Sequence, residues 1–186
     1  MTTSTTEFHA LTGQYALDPT HTRIGFVARH AMITKVRGAF NEFEGSTTID
    51  GDEPGNSHVS VTIKVDSVDT RNEQRDTHLR SNEFLDIANY PTITFASTQI
   101  THSGGNDFQV TGDLTIKGVT KRVNFPLEFQ GAAHDPFGND RIGFEGSLAI
   151  NRKDFGVEWN APLDTGGVLV GDKVILEFEI SAVKSA

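Results

Sequence analysis

The 186-residue chain contains no cysteine. That excludes disulfides, thiolate metal ligands and cysteine nucleophiles. Nor does it contain a run approaching the roughly 18 apolar residues that cross a bilayer as a helix. Positive charge is sparse: 16 Lys and Arg stand against 25 Asp and Glu, for a net charge of −9. The cations are scattered, with no basic block longer than Lys121-Arg122. An acidic chain is repelled by nucleic-acid phosphates and by anionic lipid surfaces. Neither a nucleic-acid partner nor stable membrane insertion is therefore expected. The opening Met1-Thr2-Thr3-Ser4-Thr5-Thr6-Glu7 has no basic or apolar leader, so the expected setting is cytoplasmic.

What the chain does have is strict alternation. Phe108, Val110, Leu114 and Ile116 alternate with Gln109, Thr111, Asp113 and Lys117. Val123, Phe125, Leu127 and Phe129 alternate with Arg122, Asn124 and Glu128. Residues two apart share a face only in an extended strand, so each stretch has a dry side and a wet side. The pattern predicts strands over Thr22–His30, Val36–Ile49, Val59–Val65, Thr92–Ile100, Phe108–Lys117, Val123–Phe129, Ile142–Ile150 and Val174–Ile180. Phe40 and Phe43 are three apart, which a bulge would reconcile with one face. Residues 71–89 lose the period of two and predict a short helical segment.

Strands in series without helical crossovers favour an all-β antiparallel barrel or sandwich. Eight strands with short connections read as an eight-stranded barrel, closed so that no edge is left exposed. Residues 1–13 are expected to be a disordered head and 14–186 a single barrel domain. An eight-stranded barrel is either filled by its own side chains or holds one slender ligand.

The candidate lining is the dry face: Ile24, Phe26, Ala28, His30, Phe40, Phe43, Phe95, Phe108, Val110, Leu114, Phe125, Phe129, Phe144, Leu148 and Phe178. Small residues on the same faces, such as Gly112, Gly146 and Ala182, leave room beside the rings. His30 points inward by parity. It reads either as a hydrogen-bonded core histidine or as a partner for a ligand's polar head. His21 and His30 lie at opposite ends of one strand, about 30 Å apart, so they do not share a metal ion. His78 reads as a brace for the 75–79 loop. Arg75 with Asp76, and Arg152 with Asp154, read as structural ion pairs or as clamps on a ligand head. Asp154-Phe155-Gly156 lacks the other kinase motifs, and Asp50-Gly51-Asp52 lacks the remainder of a calcium loop. No nucleophile is fixed beside a base, and no catalytic residue, metal or cofactor is expected.

Several segments carry a family resemblance in order. They are Asp18-Pro19-Thr20-His21-Thr22, Gly38 with Phe40, Phe43 and Gly45, and Arg75-Asp76-Thr77-His78-Leu79 with Ser81 and Phe84. Tyr90-Pro91-Thr92-Ile93-Thr94-Phe95, Gly112 to Thr120, Asn151 to Gly156 and Val170-Gly171-Asp172 complete the series. Over about Tyr15 to Val183 the chain resembles the YceI-like family of lipocalin-like, polyisoprenoid-binding barrels. Tyr15 stands where that family usually has Trp. The resemblance implies an open apolar pocket, non-catalytic binding, storage or transport of an isoprenoid or quinone-type lipid, and a homodimer. The rival reading is a small barrel lyase or isomerase using His30 in the same pocket.

Overall fold

A computed structural model describes residues 8–185. The strands, in chain order, are β1 (Gly13–Leu17), β2 (Arg23–His30), β3 (Thr34–Phe40), β4 (Phe43–Ile49), β5 (His58–Lys64) and β6 (Val68–Asp69). They are followed by β7 (Thr92–Gly104), β8 (Asp107–Ile116), β9 (Val119–His134), β10 (Asp140–Asn151) and β11 (Val170–Lys184). The helix α1 (Glu73–Arg80) interrupts them. Every strand pairing is antiparallel, and a β1–β11 pairing closes the sheet on itself.

Several labelled strands are halves of one. β1 and β2 lie end to end along the same edge of β11, with Leu17 opposite Ala182 and Arg23 opposite Glu179. β3 and β4 pair with β2 and β1 in turn. β5 and β6 do the same along β4 and β3. The result is the eight-stranded up-and-down barrel that the alternation predicts. Its lower end carries the 50–57, 105–106 and 135–139 turns. Its upper end carries the β2–β3 turn, α1 and the 152–169 loop.

The break between Phe40 and Phe43 is where the parity slips. At Asn41-Glu42 the chain turns to bond Ser67 and Lys64 instead of β2, through Asn41 N–H to Ser67 O and Lys64 N–H to Glu42 O. Phe40 and Phe43 thereby both stay buried. A second slip between Gly143 and Phe144 keeps Phe144 opposite Phe129.

β1 is not among the predicted strands. Tyr15 and Leu17 are its two buried side chains, too few to show a period. The predicted head is only partly described: residues 1–7 lie outside the described residues. Phe8 is 5% exposed, and the backbone from it to Gly13 packs against the lower end, with Gly51 N–H donating to Thr12 Oγ1. Of the predicted helical segment, Glu73–Arg80 is helix, capped by Asn72 Oδ1 accepting from Arg75 N–H at 3.0 Å;. The rest, through residue 89, is mainly turns. No helix among the described residues is long and apolar enough to cross a membrane.

Candidate functional site

The barrel interior is open. Three apolar cavities of about 130, 140 and 130 Å³ follow one another along the axis. Val59, Val61, Val110, Leu127 and Ile180 line both the lower and the central one. Phe40, Ile93, Ile116 and Leu176 line both the central and the upper one. The three are chambers in series, and neighbouring ones share wall residues. Each is close in size to the roughly 150 Å³ apolar cavity that stays dry and accepts a benzene-sized guest.

The predicted lining divides among them. Phe108, Val110, Phe129 and Phe144 face the lower chamber. Ile24, Phe40, Phe95, Leu114, Phe125, Leu148 and Phe178 face the central one, with Val110 shared. Phe26 and Ala28 face the upper one, with Phe40 shared. The rings touch along the wall: Phe95 to Phe125 at 5.5 Å, Phe125 to Phe178 at 5.3 Å and Phe129 to Phe144 at 5.4 Å between centroids. Tilted contacts of this kind fix ring orientation as well as burying area.

Two predicted residues stand apart. Phe43 is buried in the core opposite Ile63 but lines none of the chambers. His30 is exposed at the upper rim, paired with Thr34 and Val170, and lines none of them either. Parity puts His30 on the inward side, but the strand ends there and the residue is exposed. The interior base that the enzyme reading needs is therefore absent at this position.

The predicted lining omits the two ends. Below, Phe8 meets Phe108 at 5.5 Å and Phe129 at 5.7 Å, edge-on, and closes the lower chamber. No periodicity marks it. Above, Phe84, Leu79 and Phe155 roof the upper chamber. Over them, His78 lies edge-on between Phe84 at 4.8 Å and Trp159 at 4.6 Å, and its Nε2 bonds the Glu83 carboxylate. His78 thus braces the roof across a wider span than its own loop. The middle positions Val61, Leu127 and Ile180 were legible, since they share the parity of their neighbours.

The charged pairs are resolved by geometry. Arg75 and Asp76 meet through Thr70 and not through each other. Arg75 Nε donates to Thr70 Oγ1 at 2.8 Å, and Thr70 N–H donates to Asp76 Oδ1 at 2.9 Å. Arg152 is 4% exposed and donates to the carbonyls of Gly171, Val157, Trp159 and Val170. Burial pulls its pKa down and Asp172 opposes this. Its ion-pair partner is Asp172, 3.9 Å away, and not Asp154. Asp50 borders the lower chamber with its carboxylate turned to Asp52 N–H, Glu53 N–H and Asn56. Both charges at the chamber ends are thus engaged by the protein itself. Among the described residues, no three His, Asp or Glu side chains converge as metal ligands.

A sequence model described as YceI-like domain matches residues 15–182. The chain belongs to the YceI-like family. A UPF0312 protein of Pseudomonas paraeruginosa is 41% identical over 151 residues, covering 80% of this chain and 78% of the relative. The crystal structure of Burkholderia cenocepacia BcnA superposes with a TM-score of 0.79 at 28% identity, over 89% of this chain and 98% of that one. A polyisoprenoid binding domain from Saccharophagus degradans, implicated in plant cell wall breakdown, shares the fold at a TM-score of 0.70 and 18% identity, over 92% and 98%. The barrel is thus an architecture this chain shares with solved structures.

Proposed function

We propose that the protein binds a long apolar lipid of isoprenoid type in the tunnel and stores or carries it without catalysis. The observation that carries this reading is three contiguous chambers whose walls are apolar from Phe8 to Phe84. A saturated or prenyl chain gains roughly 0.8 kcal/mol for each CH₂ moved out of water. A tail threading all three chambers needs few polar contacts to bind tightly. The polyisoprenoid-binding name of the Saccharophagus degradans domain points to the same class of cargo. A quinone head, carriage between compartments, a cytoplasmic setting and a homodimer are the finer parts of this proposal. The rival lyase or isomerase reading loses support because His30 stands outside the tunnel.

Solvent extraction of the purified protein followed by mass spectrometry tests the reading. One long-chain lipid per barrel, replaceable by added quinone, is expected. Protein that is lipid-free and refuses every added polyprenyl chain contradicts it.

A further inference from the structure

Acidic side chains stand at both ends of the barrel, those above including Glu73, Glu83, Asp154, Glu158 and Asp164, and the cation cluster free of them is local. Turns at the lower end carry Asp50, Asp52, Glu53 and Asp135. At the upper end, the outward faces of β2 and β3 gather Arg29, Lys35 and Arg37, all exposed. Arg29 and Lys35 are direct cross-strand partners, a like-charge pairing that costs stability. None of the three has a carboxylate partner among the described residues; the nearby Asp172 is bound to Lys153 at 3.3 Å. Cations held together without a counter-charge are a site for an external anion.

Between them the turn presents apolar side chains to water. Met32 is 64% exposed and Ile33 77%, and neighbouring Val168 is also exposed. Ala31 and Met32 both have positive φ, 51° and 62°. Non-glycine residues enter that region at a cost, so the tip keeps its shape against local preference. Ala31 N–H donates to Leu169 O at 2.7 Å, tying the tip to the 160–169 loop. β2 and its neighbour β11 supply Phe26, Ala28, Val170 and Val174 to the upper chamber. The tip therefore stands beside the roofed upper end of the barrel.

We propose that this tip docks the upper end of the barrel on an anionic phospholipid bilayer. Met32 and Ile33 enter the boundary between headgroups and acyl chains, and Arg29, Lys35 and Arg37 face the lipid phosphates. The contact is peripheral and reversible, since few side chains penetrate and the attraction is confined to the tip's own cations. Its purpose, cargo exchange, rests on the lipid-carrying reading; its measurement does not.

The test is co-sedimentation with large vesicles of phosphatidylcholine alone or with about one-third phosphatidylglycerol. Wild-type protein should partition onto the anionic vesicles at low salt and leave them at about 1 M salt, where charges are screened within roughly 3 Å. Each cation should contribute on the order of fivefold. The triple change Arg29→Glu, Lys35→Glu, Arg37→Glu should abolish binding. The pair Met32→Ser, Ile33→Ser should weaken it about tenfold with the thermal midpoint unchanged. No binding by wild-type protein, or equal binding by all three proteins, overturns the proposal. So does a change only in self-association, which would make the tip a contact between copies. Extracting lipid from the same preparations separates the two readings: cargo without docking overturns this one, and docking without cargo overturns the carrier.

Discussion

The Phe26 ring occupies the space above Gly38, its cross-strand partner. A Cβ on Gly38 would stand 2.4 Å from Phe26 Cζ. The glycine lets the ring lie against the wall when it would otherwise stand in the lumen. Phe95 uses Gly112 likewise, with its Cζ 2.5 Å from where a Cβ would sit. Aromatic rings beside glycines are how this barrel keeps Phe on its dry faces and still stays hollow. Gly38→Val should push Phe26 into the upper chamber. Cargo affinity should fall about tenfold, as if roughly two CH₂ groups were denied burial, and a lipid-binding titration of the purified variant would show it.

Phe8 closes the lower chamber against Phe108, Phe129 and His102. Phe8→Ala should destabilise the fold by about 3 kcal/mol and speed cargo release at the lower end. Denaturant unfolding gives the first quantity and the dissociation rate of bound lipid the second. Lost stability with an unchanged release rate would mean that Phe8 packs without gating.

Trp159 is the one tryptophan of the chain. It lies 5.3 Å from Phe84, which roofs the upper chamber, and 4.6 Å from His78. Cargo seated in that chamber should change Trp159 emission saturably, and a quinone should quench it. His78→Ala loosens the roof and should shift the emission of the empty protein towards that of a solvated indole. Fluorescence titration of delipidated protein is the check.

Arg141 joins two turns at the lower end, donating to Asp18 at 2.6 Å and to Asp135 at 2.8 Å. The Asn139 backbone N–H, then Arg141, hold Asp135 at about 2. The Thr20 hydroxyl, then His21 and Arg141, hold Asp18 well below the usual carboxylate range. Both folded values are depressed, so the unfolded chain binds more protons in acid. The stabilisation is complete above the unfolded value of 3.8 and fades as pH falls towards about 2;. Arg141→Met should lower the thermal midpoint at neutral pH, and its gap from wild type should close between about pH 4 and pH 2. A gap of constant size across that range would contradict this.

How much of this was legible in the residues differs by position. The strands of the barrel follow from parity, because side-chain direction alternates whatever the tertiary context. The slip at Phe40 and Phe43 is visible for the same reason, and so is the value of a small residue at Gly112. Depth is not encoded that way: His30 shares the parity of Ala28 yet stands at the rim in solvent. Phe8, Phe84 and Trp159 come from irregular segments, where burial is set by long-range packing with no local period. Hollowness itself is not legible, since a Phe-rich face fits a filled core as well as a lined tunnel until ring orientation is known.

The most direct test is a crystal structure of the protein loaded with a polyprenyl chain brominated at its far end. An anomalous bromine peak inside the tunnel, with continuous density passing Val61 and Leu127, is the expected result. A tunnel occupied along its length by the protein's own side chains, with no bromine peak inside, would contradict the account.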